Sequence, residues 1–264
     1  MFIDAIGQTH EQANNPRILS LVPSITELLF DLDLAESVVG RTAFCVHPKE
    51  SVKSVKSIGG TKQVNMDKVM AIDATHLIVN IDENPKELVD ELKTFIPNII
   101  VTHPNRPEDN VHLYQMLGNI FDRRDQAARL ISELQAANTH TQMAAMDLEE
   151  KKVLYFIWKD PWMTISTDTY ISRSLASVKL KTIPTESDRR YPEVDLESGI
   201  LDEADAILFS SEPFLFKLDH LKEFSETHNL PLEKLHIIDG EMTSWYGSRA
   251  ISGLRYLVEF AKKL

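Results

Sequence analysis

One cysteine, Cys45, stands in the whole chain, so no internal disulfide can brace the fold, and the chain suits a reducing compartment. No apolar run approaches the ~20 residues that a membrane-spanning helix requires. The first ten residues, Met1 to His10, contain no basic leader, sustained apolar core or cleavage site. The expectation is therefore a cytoplasmic protein as the sequence is written, and a periplasmic or cell-surface one if a signal has been removed. Positive charge is also short: 28 Lys and Arg against 40 Asp and Glu give a net charge of −12, which argues against nucleic acid and anionic membrane surfaces as partners. Enzyme fingerprints are missing as well. Gly59-Gly60 has no following Gly-Lys-Ser/Thr, no Gly-x-Gly-x-x-Gly occurs, and Gly247-Ser248-Arg249 is not a nucleophile elbow. Asp168, Glu212 and Glu241 could act as bases, but no partner spacing singles them out. The expectation is a binding protein rather than an enzyme.

What is present is a regular alternation. Strands are predicted near 17–22, 37–40, 76–80 and 98–101, with helices near 24–31, 66–72 and 85–95, and a further helical stretch over 107–118. Such alternation builds a mostly parallel sheet covered on both faces. In Pro23-Ser24-Ile-Thr-Glu27, Ser24 and Glu27 have capping-box spacing, which predicts a capped helix N-terminus at a strand's carboxyl end. From Asp122 to Lys152 there is no Pro or Gly. Ala127, Leu130, Ile131, Leu134, Ala137, Thr141, Ala144 and Leu148 recur there at three- and four-residue spacing. About 27 helical residues would span roughly 40 Å, long for a crossover and suited to a strut. The alternation then resumes with strands at 152–158, 205–209 and 235–238 and helices at 169–178, 217–227 and 248–263, Ser248 capping the last. The predicted fold class is α/β, two Rossmann-like lobes with parallel sheets joined by one long backbone helix. Its parts are an N-terminal lobe at 17–121, the helix at 122–150 and a C-terminal lobe at 151–264.

Residues able to carry chemistry gather at predicted strand ends. Cys45 and His47, two residues apart after the second strand, could ligate a soft or borderline metal together with His103, just past the fourth. His47 alone could meet the iron or cobalt of a macrocycle. All three tryptophans lie in the second half: Trp158, which continues an apolar strand and is expected in the core, Trp162, and Trp245 beside Tyr246. With Tyr170 and Tyr191 they could form flat apolar walls. Arg189, Arg190 and Arg249 supply guanidinium donors near those rings. Asp82, Glu83 and Asn84, past the third strand, either face a cleft or begin the next helix.

The stretch Arg17 to Gly40, followed by Cys45-Val-His-Pro48, Ile58-Gly-Gly60, Asn65 to Met70 and Thr75 to Asn80, resembles the helical-backbone (class III) periplasmic-binding-protein-like family. These are substrate-binding proteins of ABC importers for cobalamin, haem and iron–siderophore complexes, and the likeness is greatest to the cobalamin branch. It implies a cobalamin-like corrinoid or other tetrapyrrole or iron chelate held in the cleft between two lobes. The expected contacts are Glu83, Cys45, His47, Trp162, Tyr170, Arg190, Tyr191, Trp245, Tyr246 and Arg249. It also implies an ABC permease as partner, gripped through a carboxylate on each lobe. Glu197 matches the second-lobe position, while Lys86 falls at the first. A monomer is expected. The alternative is a cytosolic metal-handling or catalytic protein using Cys45, His47 and His103, and a protein–protein module with a filled cleft stands as a third reading.

Overall fold

The computed structural model describes residues 2–184 and 188–264. The chain divides into two compact units. The first comprises Met1–Pro104, Asp109–Glu133 and Tyr246–Arg249; the second comprises Asn105–Glu108, Leu134–Trp245 and Ala250–Leu264.

The first unit opens with a short antiparallel pair, β1 (Phe2–Ile3) and β2 (Thr9–His10). Then follow β3 (Ile18–Ser20), α1 (Pro23–Asp31), β4 (Val38–Arg41), β5 (Lys56–Ser57), α2 (Met66–Met70), β6 (His76–Asn80), α3 (Lys86–Leu92), β7 (Asn98–Thr102) and α4 (Asn110–Ile120). Strands β5-β4-β3-β6-β7 form one wholly parallel sheet. Its central strands are buried throughout, as continuous apolar runs such as Ile18-Leu19 and Leu77-Ile78-Val79 require when helices cover both faces. Leu19, Leu77 and Val79 pack with Ile72, Leu92 and Ile96 in one core.

The capping box foreseen at α1 does not form. Val22 is the N-cap, in extended backbone, and Pro23 occupies the first helical turn, where its fixed φ and missing N–H cost nothing. That moves the helix start by one residue and buries Ser24, so its hydroxyl cannot cap.

The long helix is α5 (Arg124–Ala145), about 33 Å at 1.5 Å per residue and shorter at both ends than 122–150. Asp122 sits at φ 54°, the left-handed region, which excludes it from the helix. Ala127, Leu130, Leu134, Ala137 and Thr141 form its buried stripe. The division into units falls inside this helix, between Glu133 and Leu134.

The second unit continues with β8 (Lys151–Phe156), α6 (Tyr170–Ala176), β9 (Leu180–Ile183), α7 (Ile200–Glu203), β10 (Ala206–Ser210), α8 (Leu218–His228), β11 (Leu235–Ile238), α9 (Gly240–Ser244) and, after its first residue, α10 (Arg249–Ala261). Its sheet, β11-β10-β8-β9, is again parallel. One face packs on α6 and α10 through Tyr155, Leu175, Leu208, Leu257 and Val258. The other carries Phe156, Phe209, Phe216 and Phe224. The short strands β1, β2 and β5, strand β9 and the short helices α7 and α9 were not foreseen; the other elements fall within a few residues of their predicted places.

His76, in β6, has a measurable consequence. Its ring is buried, meets Phe121 edge-on at 5.4 Å, and shares a hydrogen bond with the Thr75 hydroxyl through Nδ1 at 2.8 Å. Burial first, and then the neighbouring His10, lower its pKa from the ordinary 6.5. A base with a depressed folded-state pKa contributes stability that is present above its unfolded pKa and lost as pH falls through the folded one. Thermal melts followed by circular dichroism should therefore show a lower Tm at about pH 5 than at about pH 7. His76→Asn should flatten that difference without abolishing it, because His236 is shifted the same way by burial. An unchanged slope in the variant would assign the pH dependence elsewhere.

Candidate functional site

In each parallel sheet the carboxyl ends of the strands share one edge, and ligands of open α/β sheets bind at that edge. In the first unit β4 leads to Phe44, Cys45, Val46 and His47, β6 to Ile81, Asp82 and Glu83, and β7 to His103. In the second, β8 leads to Trp158, β10 to Glu212 and Phe214, and β11 through α9 to Trp245.

Cys45 is fully buried and receives the Thr26 hydroxyl at 3.0 Å, with the Thr42 hydroxyl at 3.2 Å. Burial raises its pKa against those hydrogen bonds, so it is a thiol locked in the core. Metal ligation by Cys45, His47 and His103 is therefore corrected: no cluster of three His, Cys, Asp or Glu side chains able to hold a metal occurs among the described residues. His103 instead lies 3.4 Å from Asp82 and lines an apolar recess with Val101, Leu113 and Met116. His47 is half-buried, with Phe44 and Val46 exposed beside it.

The turn after β6 is no solvated helix start. The Asn84 side chain is buried, accepts the Asn80 N–H at 2.8 Å and donates to the Thr61 carbonyl at 3.0 Å. Glu83 accepts the Tyr246 hydroxyl at 2.5 Å. Burial and then the Glu83 charge hold the Tyr246 pKa well above 10, so the phenol stays a donor. Next to it, Gly247 has φ 75°, donates its N–H to Asn110 Oδ1 at 2.6 Å and accepts the Tyr114 hydroxyl at 2.8 Å. Arg249 grips Glu27 through two bonds of 2.8 and 2.6 Å. Segment 246–249 is thus pinned into the first unit by four side chains, and the guanidinium expected to hold ligand is committed to a carboxylate. Ser248 does not cap α10; its hydroxyl is buried without a partner among the described residues.

In the second unit Arg190 donates to Asp168 at 3.0 Å and to Asn105 at 2.8 Å, and Arg173 takes the other Asp168 oxygen at 2.6 Å. Tyr170 is buried at the start of α6 and Tyr191 packs half-buried against the core. The two neighbouring tryptophans exchange their expected surroundings. A tight reversal, with Ile157 N–H on the Met163 carbonyl and Met163 N–H on the Trp158 carbonyl, turns Trp162 back over Phe156 at 4.7 Å and onto Phe216 at 5.9 Å, nearly parallel. Trp158, expected in the core, is left 40% exposed, edge-on to Phe214 at 5.6 Å, with Leu215 exposed nearby. The sequence reading missed Phe214 and Leu215; their signal was an apolar pair directly after a strand and a Pro.

Trp245 is nearly buried and donates its indole N–H to Glu212 at 2.7 Å, and the same oxygen takes the Ser244 hydroxyl at 3.0 Å. Glu197 is exposed, following Asp195, whose carboxylate caps a short 3-10 turn. Lys86 is exposed and paired with Asp90.

Known proteins give this geometry a family. An uncharacterised ABC transporter substrate-binding lipoprotein of Bacillus subtilis is 25% identical over 97% of this chain and 83% of its own. The periplasmic vitamin B12-binding protein of Vibrio cholerae superposes with a TM-score of 0.79 at 14% identity, over 94% of this chain and 98% of its own. A periplasmic haem-binding protein of Pseudomonas aeruginosa does so with a TM-score of 0.79 at 16% identity, over 93% and 92%. These structures share the fold of two parallel-sheet α/β units. The family model described as periplasmic binding protein matches residues 18–230, and it gives no support to the cytosolic metal-handling reading or to a cytoplasmic location. The chain belongs to the periplasmic binding protein family, whose members bind substrates rather than transform them.

Proposed function

We propose that this protein holds a cobalamin-like corrinoid or another tetrapyrrole against the carboxyl edges of its sheets and presents it to an ABC permease. The observation that carries the reading is the ledge beyond β8 and β10 in which Trp158 and Leu215 are exposed and Phe214 is half-buried, edge-on to Trp158. Exposed rings and aliphatic side chains at a ligand-binding edge match the flat apolar faces of a macrocycle. Phe44, Val46 and Ile81 are exposed at the corresponding edge of the first unit. In the first unit His47, beside Phe44, serves as an axial or hydrogen-bonding contact; in the second, Tyr191 and Trp245 belong with Trp158 and Phe214 to the aromatic set. Trp162, Tyr170, Tyr246, Arg190, Arg249 and Glu83 act one layer back, holding these groups in place. Glu197, exposed and carrying negative charge, is the proposed permease contact of the second unit.

Relatives named for vitamin B12 and for haem support this ligand class equally. The test is a titration of purified protein with cobalamin and with haemin, following the visible band and tryptophan quenching together. A saturable one-to-one response to one of them is expected, and Trp158→Ala should weaken it about tenfold, the loss of one stacking contact. Failure of both to bind, with siderophore complexes binding instead, would overturn the tetrapyrrole assignment.

A further inference from the structure

We propose that Glu212 is a positioning residue for ligand binding, holding the Trp245 indole in one orientation through a buried carboxylate–indole hydrogen bond. The inference rests on the reading above, in which Trp245 belongs to the ligand-side aromatic set. Glu212 follows β10, and Trp245 follows α9, so the two arrive from different strands. A single oxygen, Oε1, receives both Trp245 Nε1 at 2.7 Å and Ser244 Oγ at 3.0 Å. The loop that carries Glu212 has no slack. Its carbonyl accepts the Ser210 hydroxyl at 2.6 Å, the neighbouring Ser211 hydroxyl accepts the Gly240 N–H at 2.8 Å, and Gly240 lies so close that an added Cβ would strike the Glu212 side chain.

A carboxylate is a costly choice here if holding the fold were its purpose. Burial raises its pKa, the Ser244 and Trp245 donors lower it, and Glu241 and then Asp239 raise it again. Tyr155, from β8, lies near it with its hydroxyl already bonded to Ser210 and Thr243, and Tyr256, from α10, accepts the Asp239 N–H; the charged groups that act on Glu212 are Glu241 and Asp239. An acid whose folded-state pKa is raised contributes stability below its unfolded pKa that is lost as pH rises through the folded one, so wherever the carboxylate is ionised its charge burdens the fold. What the charge supplies is a short, charge-assisted bond that fixes an indole more firmly than a neutral acceptor does. A residue that weakens the fold while fixing a ring next to the binding edge is arranged for binding.

The test compares the wild-type protein with Glu212→Gln and Glu212→Asp. The three tryptophans give three indole N–H signals in a proton–nitrogen correlation spectrum, and Trp245→Phe identifies the one from Trp245. In the wild type that signal should titrate with a midpoint above the ordinary glutamate range, and in Glu212→Gln it should move and lose its pH dependence. Glu212→Gln should melt no lower than the wild type at neutral pH, yet bind haemin or aquocobalamin, whichever the wild type takes, about tenfold more weakly. Glu212→Asp keeps the charge but not the reach, and should lose affinity likewise. A Trp245 signal unmoved by Glu212→Gln, or an affinity unchanged in a variant whose signal has moved, overturns the proposal. A wild type that binds neither probe removes the ligand reading, and the indole signal then decides alone whether Glu212 holds the ring.

Discussion

Phe209→Ala is expected to destabilise the second unit by about 4 kcal/mol, in the upper range for deleting a fully buried ring. Phe209 is wholly buried in β10, and its ring meets Phe156, Phe216 and Phe224 at 5.2 to 5.4 Å and Trp162 at 6.3 Å. Removing it leaves four rings facing a void that none can fill without leaving its rotamer, because Trp162 is already stacked on Phe216 and Phe216 meets Phe214, tilted, at 4.6 Å. Urea denaturation monitored at 222 nm checks the value. A loss below about 2 kcal/mol would mean that the cluster collapses onto the gap, and that Trp162 is loose enough to belong to the ligand edge after all.

That cluster explains why the two tryptophans were misplaced from sequence. Reading 152–158 as one strand places Trp158 with Leu154 and Phe156 on a covered face. The strand actually ends at Phe156, and the reversal between Ile157 and Met163 is set by backbone pairing that no local composition reveals. The alternation of strands and helices, by contrast, was legible almost throughout, because parallel strands buried on both faces need unbroken apolar runs. One of the missed strands, β9, shows the limit of that rule. Leu180–Ile183 carries Lys181 on an exposed position, follows Lys179 at φ 61° and stops at Pro184, so its apolar run is too short to register. At α1 a local rule failed because another overruled it: Pro23 outbid Ser24 for the helix start.

The site was less legible because its bonds join residues far apart in sequence. Glu83 and Tyr246 are 163 positions apart, Asn110 and Gly247 137, and Glu27 and Arg249 222. Residue types at strand ends pointed to the carboxyl edges, where parallel sheets gather their strand ends. They could not tell which polar groups would be consumed within the fold. Arg190, Arg249 and Glu83 were read as ligand clamps because a sequence shows a charge and not its partner. Cys45 was read as a metal ligand because burial, which makes it a protonated thiol, is a property of the folded chain.

Glu27→Ala should therefore act on stability, at a cost of about 3 kcal/mol or more. Glu27 lies in α1 and Arg249 opens α10; their side chains are only 17% and 10% exposed, joined by two parallel N–H···O bonds of 2.8 and 2.6 Å. Alanine is the better helix former by a few tenths of a kcal/mol, so a large loss cannot come from the backbone of α1. It comes from taking away the carboxylate that accepts two of the guanidinium's N–H groups at a nearly buried site, a penalty larger than the net worth of the pair itself. The double variant Glu27→Leu with Arg249→Met separates the two quantities: replacing both charges with apolar side chains of similar volume should recover most of the stability lost by Glu27→Ala. Urea midpoints of the three proteins give the comparison. A loss under about 1 kcal/mol in Glu27→Ala would show that Arg249 swings out to water on its own, and would return it to the ligand-binding set.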